Sequence, residues 1–250
     1  MTLCGSKVSW RANLALVSLT VLLSSNVGHA APSTAITTCG VEIESPGAYY
    51  LATDLTCPGT GILIFASDVR LRLDGHTLQG LSRLSEGIEV VHATGVVIQG
   101  PGTVTGFGDG VSLTFVDSST VIGVTATGNT IGFFAVGVGT DNNVFQNNVA
   151  TLNSLGIGVD FGNENMVINN FLMNNSRGIE TFVAHRNKFY ANTANNGLLG
   201  FNLVASTQNE IHGNTALSNS NQDMSDSAPN CDDNQWQGNR FDTANQECIQ

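Results

Sequence analysis

A short phrase of two asparagines around one apolar residue returns five times in the second half of the chain, and it limits the possible folds more than any other feature. The phrase has the form Asn-x-Φ-x-x-Asn, where Φ is apolar. Its copies begin at Asn143, Asn165, Asn187, Asn209 and Asn234, so the steps between them are 22, 22, 22 and 25 residues. A period of this length predicts a solenoid, because one coil can bury its apolar side only by stacking on its neighbours.

A second repeat, a glycine followed by an apolar residue, extends the same period toward the N-terminus. The pairs begin at Gly61, Gly87, Gly110, Gly132, Gly156, Gly178 and Gly200. Apolar and polar residues alternate after each glycine, as in a half-buried strand, whereas amphipathic heptads and the leucine-rich repeat consensus are missing. The sequence therefore predicts an all-β fold, a single-stranded parallel β-helix with about 22 residues per coil. Each glycine would serve a corner with positive φ or a close approach of two backbones.

The asparagines have a structural explanation in such a solenoid. Asn148, Asn170, Asn192 and Asn214 fall one coil apart, so they should stack at about 4.8 Å with each amide donating to the next carbonyl. Asn also tolerates the left-handed conformation that a corner requires. The first asparagines of each phrase would form a second column. The alternative, asparagines as polar ligands for a sugar or a metal, explains the strict period less well.

Residues 1–30 are typical of a secretory signal peptide. Lys7 and Arg11 precede an apolar run over 12–23, and the sequence Gly28-His29-Ala30 resembles a cleavage site. A membrane anchor is the alternative, but the run is shorter than the about 20 residues that span a bilayer. We therefore expect a secreted or periplasmic protein without a membrane span in the mature chain. In the remainder we expect a leader and N-terminal cap over 31–60, coils over 61–220, and a last coil with a C-terminal cap over 221–250. Residues 31–38 of the leader should have no regular structure.

Four cysteines remain after the signal peptide, and they are expected to form disulfides. Cys39, Cys57, Cys231 and Cys248 allow three pairings. Because the two ends of a stacked rod lie far apart, we favour the pairs 39–57 and 231–248, with the first closing two short strands. A metal site is the alternative, but there is no Cys-x-x-Cys spacing and no neighbouring histidine, so no metal is expected.

The charge of the chain limits its partners. The formal net charge is −11, and it becomes −13 once Lys7 and Arg11 are removed. This argues against binding to nucleic acid, which needs clustered Lys and Arg. An acidic polysaccharide would also be repelled unless a cation bridged it, so calcium is expected only if the protein acts on a polysaccharide, and otherwise no cofactor. Solubility is a simpler explanation of the charge.

The phrase Leu-Arg-Leu-Asp-Gly-His-Thr-Leu at 71–78, followed by the Asn coils, resembles a known group of exported bacterial proteins. These are right-handed parallel β-helix repeat proteins of the pectin-lyase-like superfamily, near the β-helix domain of periplasmic copper-binding proteins. The resemblance covers roughly residues 39 to 249 and implies a right-handed coil, three parallel sheets and a link to polysaccharides, without a defined activity.

The catalytic motifs of the superfamily are incomplete in this chain. Of the polygalacturonase set only the Asp232-Asp233 pair and the His212-Gly213 pair occur, and the Asp-Pro-His-Asp segment of mannuronan epimerases is missing. Copper would need clustered His, Met or Cys, whereas His76, His92, His185 and His212 are dispersed.

Counting from the Gly–Φ pairs brings two carboxylates together on the outer surface. Asp160 and Glu180 fall on neighbouring coils, two residues apart along the strand, which gives roughly 8 Å between their Cα atoms. Such a pair suits general acid and base catalysis on a glycosidic bond. The candidate substrate-binding residues are two aromatic rings for stacking on sugars and two residues at the edges: Phe134, Phe182, Arg177 and His185. The alternative is a set of solvated charges and scattered apolar residues.

Two functions remain open from the sequence. The first is a non-catalytic surface or periplasmic scaffold that binds glycans, and the second is a polysaccharide lyase, hydrolase or epimerase. The uniform coils with few charges favour the first.

Overall fold

The computed structural model describes residues 32–250, so the expected signal peptide lies outside the described residues. Twenty-eight strands and one 3-10 helix, η1 (Pro229–Cys231), make up this region. The strands form three parallel sheets of ten, nine and nine strands, which confirms the predicted right-handed parallel β-helix. No helix between 32 and 250 is long and apolar enough to cross a bilayer.

The three sheets run the length of the solenoid. Sheet A contains β1 (Thr34–Ile36), β3 (Gly47–Leu51), β6 (Val69–Arg72), β9 (Val97–Gln99), β12 (Thr120–Ile122), β15 (Val144–Gln146), β18 (Met166–Ile168), β21 (Lys188–Tyr190), β24 (Glu210–His212) and β27 (Gln235–Gln237). Sheet B contains β2 (Val41–Ile43), β5 (Ile62–Ile64), β8 (Ile88–Val91), β11 (Asp109–Thr114), β14 (Ile131–Val136), β17 (Leu155–Asp160), β20 (Arg177–Phe182), β23 (Leu199–Val204) and β26 (Gln222–Asp226). Sheet C contains β4 (Leu55–Cys57), β7 (Thr77–Gly80), β10 (Thr103–Thr105), β13 (Thr125–Thr127), β16 (Val149–Thr151), β19 (Phe171–Met173), β22 (Thr193–Asn195), β25 (Thr215–Ala216) and β28 (Arg240–Phe241).

Each regular coil passes through sheets A, C and B in turn, and the sheets differ in how much surface they offer. Strands of sheets A and C are mostly three residues long and bury only the middle side chain, such as Phe145 or Leu172. Strands β11, β14, β17, β20 and β23 of sheet B have six residues. Because side chains alternate along a strand, sheet B presents the broadest outer face. Its outward side chains form two columns, at the second and fourth residues after each repeated glycine, such as Glu180 and Phe182 after Gly178.

The asparagine side chains of successive coils are joined by hydrogen bonds inside the solenoid. The Nδ2 of Asn192 donates to the carbonyl of Val167 at 2.8 Å and to Oδ1 of Asn214 at 3.1 Å. Its Oδ1 accepts from the backbone N–H of Asn170 at 3.0 Å. Each amide thus satisfies buried backbone groups that the corner would otherwise leave unpaired. The left-handed conformation, however, belongs to the residue before each asparagine, such as Ala191, so conformational tolerance does not explain this column.

A further column of asparagines, outside the repeated phrase, lies at the corner between sheets C and B. Asn129, Asn153 and Asn175 are buried, and the backbone N–H of each of the first two donates to Oδ1 of the next at 2.8 and 3.0 Å. Gly197 takes the following place, and its N–H donates to Asn219 Oδ1. All three corners of the regular coils are therefore held by asparagine.

The repeated glycines of sheet B serve close backbone approach. Their φ values lie outside the left-handed region. Of the two roles predicted for them, a corner with positive φ and a close backbone approach, only the close approach applies. A Cβ on Gly132 would lie 2.6 Å from the carbonyl oxygen of Gly156, and a Cβ on Gly156 would lie 2.6 Å from that of Gly178. A side chain at these places would force neighbouring coils apart.

The N-terminal segment is more regular than the sequence suggests. Residues 34–36 form strand β1 and pair with β3 in sheet A, so the expectation of a loose leader over 31–38 is wrong there. Strands β2 and β3 do not pair with each other but join sheets B and A, each beside the next coil. The physical reason is that Ile36, Ile43 and Leu51 become buried only by stacking.

Both predicted disulfides are present, one at each end of the solenoid. Cys39 pairs with Cys57, with Cα atoms 5.5 Å apart, and Cys231 pairs with Cys248, with Cα atoms 6.1 Å apart. At the C-terminal end Trp236 and Ile249 are buried over the last coil. The carboxylate of Asp226 accepts hydrogen bonds there from the N–H of Ala228, the amide of Asn234 and Nε1 of Trp236 at 2.8 to 3.1 Å.

Candidate functional site on the outer face of sheet B

The strand register places the two candidate carboxylates as expected from the repeat. In the pairing of β17 with β20, Gly158 lies beside Glu180 and Asp160 lies beside Phe182. The pairing of β14 with β17 puts Phe134 next to Gly158. Asp160 and Glu180 are therefore diagonal neighbours on adjacent coils.

Glu180 is fixed by two neighbours on the same face. Its Oε1 forms an ion pair with Nη1 of Arg177, three residues earlier on β20. Its Oε2 accepts a hydrogen bond of 2.7 Å from Nδ2 of Asn202 on the next coil. The side chain is only 17% exposed, so both oxygens are held in a defined orientation rather than solvated freely.

Asp160 has an unusual protonation equilibrium. Burial and the nearby charge of Glu180 raise the pKa of Asp160 to about 6, although Arg177 acts in the opposite direction. A carboxyl group with a pKa close to the ambient pH exists in both protonation states and can donate or accept a proton. Such perturbed groups are enriched at functional sites.

A second group of carboxylates, outside the residues predicted from the sequence, lies at or near the first strand residues of the same sheet. Burial, followed by the charges of Glu86 and Glu89, raises the pKa of Asp109 to about 6. Burial and the charge of Glu86 also raise the pKa of Glu89. Asp109 occupies the first place of β11, the same column that Arg177 occupies on β20. The outer face of sheet B is thus acidic over several coils.

Aromatic rings flank the Asp160–Glu180 pair. The ring of Phe134 lies over Gly158, where a Cβ would come within 2.8 Å of Cδ2 of Phe134. Phe182 is 41% exposed and meets Phe161 edge to face, with ring centroids 5.4 Å apart. Phe161 was not predicted, although its position directly after Asp160 marks it as the corner residue that follows the strand.

His185 belongs to a different part of the surface. It lies in the corner between sheets B and A, where its Nδ1 is 2.9 Å from Oγ1 of Thr207. Its backbone N–H donates to Oδ1 of Asn163. These bonds join three coils at the corner, so the structure brings Phe134, Phe182 and Arg177 together with the carboxylates but not His185.

Residues 32–250 offer no suitable set of donors for copper. No three His, Cys, Asp or Glu side chains of this region are grouped to hold a metal ion. His76 lies 3.2 Å from Asp54, and His92 stacks on Phe115. The four cysteines of the region are in disulfides. Because copper favours clustered His, Met or thiolate ligands, these residues do not fit a copper site.

The two carboxyl groups with raised pKa values should make stability depend on pH. In the folded protein Asp109 and Asp160 titrate near pH 6, whereas the reference value is 3.8. Between these values the folded state binds more protons than the unfolded state, so stability falls as the pH rises. We expect the melting temperature to drop between about pH 4 and pH 6.5, and this drop to be smaller in the variant Asp109→Asn/Asp160→Asn. An unchanged drop in the variant would contradict this assignment.

Comparison with solved structures supports the fold. A mutant of the periplasmic alginate epimerase AlgG superposes with a TM-score of 0.61 at 18% identity, over 79% of this chain and 50% of that one. The A-module of the Azotobacter vinelandii mannuronan C-5 epimerase AlgE4 gives a TM-score of 0.58 at 14% identity, over 86% of this chain and 76% of that one. At these identities the likeness shows the fold alone, and the chain spans about half of the AlgG structure.

Comparison of sequences gives the family. No curated protein sequence matches the chain. A family model described as periplasmic copper-binding protein (NosD) matches residues 39–247, which is nearly all of the described region. The two disulfides also agree with an exported protein. This match shows that the chain belongs to the periplasmic copper-binding protein (NosD) family.

Proposed function

We propose that this protein is a non-catalytic, exported glycan-binding protein whose outer sheet B face holds a polysaccharide. The observation that carries the proposal is the exposed pair of Phe161 and Phe182 beside the ordered carboxylate of Glu180. Aromatic faces can cover the apolar side of a sugar ring. Fixed carboxylate, amide and guanidinium groups nearby can hydrogen-bond to its hydroxyl groups. Ligand sites commonly combine an apolar contact surface with a few polar groups that orient the ligand.

The electrostatics favour a neutral polysaccharide. Asp160, Glu180, Asp109 and Glu89 give the face a negative charge, and the whole chain carries a formal charge of −11. A polyanion would be repelled from such a surface unless cations intervened. The structural neighbours that are alginate epimerases motivate including alginate in a screen, with and without calcium.

Removing the two exposed rings should weaken glycan binding. The protein is first screened on a glycan array, and affinity for the best neutral ligand is then measured by titration calorimetry. At about 0.5–1.5 kcal/mol for each ring contact, the variant Phe161→Ala/Phe182→Ala should bind about tenfold more weakly. Phe171 on sheet C is 48% exposed, so Phe171→Ala is the matched control and should bind normally. Equal losses in both variants would argue against sheet B as the site.

A polysaccharide-active enzyme is the second candidate, and one observation favours it. Asp160, with its pKa raised to about 6, lies next to Glu180. In a hydrolase, Asp160 would donate its proton to the leaving glycosidic oxygen while Glu180 activates water or attacks the sugar. A screen for new reducing ends and for new double bonds, with and without calcium, tests this alternative. If turnover is found, Asp160→Asn should abolish it, and unchanged turnover would remove these residues from the reaction.

A further inference from the structure

A line of exposed aromatic side chains follows the edge of sheet B where the chain turns toward sheet A. We call it the aromatic ridge, and it consists of Phe65, His92, Phe115, Phe161 and Phe182. The backbone N–H groups of His92, Phe115 and Phe161 donate to the last strand residue of the following coil, at 3.1, 3.2 and 2.9 Å. This shared bond puts the three residues in one column at the corner. Phe182 is the last residue of β20, and Phe65 directly follows β5.

The backbone of the ridge is unfavourable for the residues it carries. His92, Phe115 and Phe161 have φ values of 52°, 54° and 61°, in the left-handed region that bulky residues rarely adopt. Gly137 occupies the same column with φ 105° and shows which residue the corner would accept without strain. Val183 and Ala205 occupy the same column with φ values of 50° and 48°, so the left-handed conformation belongs to the corner itself and the exposure of the rings is what marks the ridge.

The ridge rings are also exposed and close to one another. Its four phenylalanines are 39% to 45% exposed. His92 and Phe115 stack with centroids 4.9 Å apart and planes 6° from parallel, and Phe115 covers Gly137, where a Cβ would lie 2.6 Å from its ring. From the coil of Phe65 to that of Phe182 there are five steps of about 4.8 Å, so the ridge is about 24 Å long.

We propose that the aromatic ridge binds consecutive sugar units of a long, neutral polysaccharide that runs parallel to the solenoid axis. This inference rests on the glycan-binding function proposed above and extends that site from the Phe161–Phe182 pair across the neighbouring coils. Five of the six coils contribute one aromatic side chain each, so affinity should grow with chain length.

The surroundings of the ridge favour a glycan over a purely apolar partner. Thr114 and Asp160 are the outward strand residues that directly precede Phe115 and Phe161. Glu89 lies in an outward column of the same sheet, three residues before His92. An apolar partner would desolvate these groups without replacing their hydrogen bonds, which is costly, whereas sugar hydroxyls can pair with them. The same charges disfavour an anionic polymer or an anionic membrane.

The test uses neutral gluco-oligosaccharides from disaccharide to octasaccharide and titration calorimetry with wild-type protein. Phe115→Gly should lose about fivefold in affinity for the longest ligand and nothing for the disaccharide, whereas Phe182→Ala should lose affinity for both. Glycine is the preferred residue at this φ, so Phe115→Gly should fold at least as stably as wild type. Phe171→Ala serves as the control for general effects.

The possible outcomes separate the ridge from the underlying function. If the affinity of wild-type and Phe115→Gly proteins rises equally with oligosaccharide length, the ridge does not contribute to binding, while the glycan-binding function stands. If no neutral oligosaccharide binds to wild type, both fail. Binding of wild type to phosphatidylcholine vesicles that Phe115→Gly abolishes would assign the ridge to a lipid surface and overturn the glycan inference.

Discussion

Replacing Asn192 by alanine is expected to lower the free energy of unfolding by about 2–6 kcal/mol. The Asn192 side chain is buried, accepts from the backbone N–H of Asn170 and donates to the carbonyl of Val167. Alanine would leave both backbone groups buried and without a partner, and each such group costs about 1–3 kcal/mol. The loss of side-chain volume would add to this cost.

The control for this substitution is an asparagine that does not belong to the buried asparagine columns. Asn221 is exposed, so Asn221→Ala should change the free energy of unfolding by less than about 0.5 kcal/mol. Urea unfolding of both variants, followed by far-UV circular dichroism, measures the difference. Equal stabilities for the two variants would mean that the buried amides do not hold the coils in register.

Removing the C-terminal disulfide is expected to destabilise the protein by about 3 kcal/mol. The bond joins Cys231 to Cys248 across a sequence separation of 17. It fastens the tail that covers the apolar end of the last coil, where Trp236 and Ile249 are buried. A solenoid depends on such caps because its terminal coils have a neighbour on one side only.

Trp236 gives this prediction a local readout, because it is the one tryptophan outside residues 1–30. In Cys231→Ser/Cys248→Ser its fluorescence should shift to longer wavelength at a lower urea concentration than the circular dichroism changes. In Cys39→Ser/Cys57→Ser, which opens the other end, the Trp236 transition should not precede the loss of circular dichroism. If the Trp236 transition preceded the loss of circular dichroism only in Cys39→Ser/Cys57→Ser, the assignment of the C-terminal tail as a cap would be contradicted.

The repeat carried enough information to predict the fold and much of the sheet register. The step from the Gly156 pair to the Gly178 pair is 22 residues, and this count alone places Gly158 beside Glu180, as observed. The disulfide pairs followed because stacking keeps the two ends apart. Periodicity works here because each coil contacts mainly its neighbours, so local spacing determines three-dimensional position.

Features that depend on the surroundings of a side chain in the folded protein could not be predicted from the sequence. The raised pKa of Asp109 results from burial and from the charges of Glu86 and Glu89, and Glu86 lies before Gly87, in the longest step between glycine pairs. The asparagine column at Asn153 was hidden because Gly197 interrupts it. His185 was grouped with the carboxylates by its nearness in sequence, yet the chain turns the corner to sheet A before it.

Hydroxyl-radical footprinting with a bound neutral polysaccharide tests the proposed glycan face most directly. Phe161 and Phe182 on the sheet B face are 39% and 41% exposed, and Phe171 on sheet C is 48% exposed, so all three should be oxidised in the free protein. Binding should protect Phe161 and Phe182 and leave the oxidation of Phe171 unchanged. Protection of Phe171, with Phe161 and Phe182 still oxidised as in the free protein, would contradict the account.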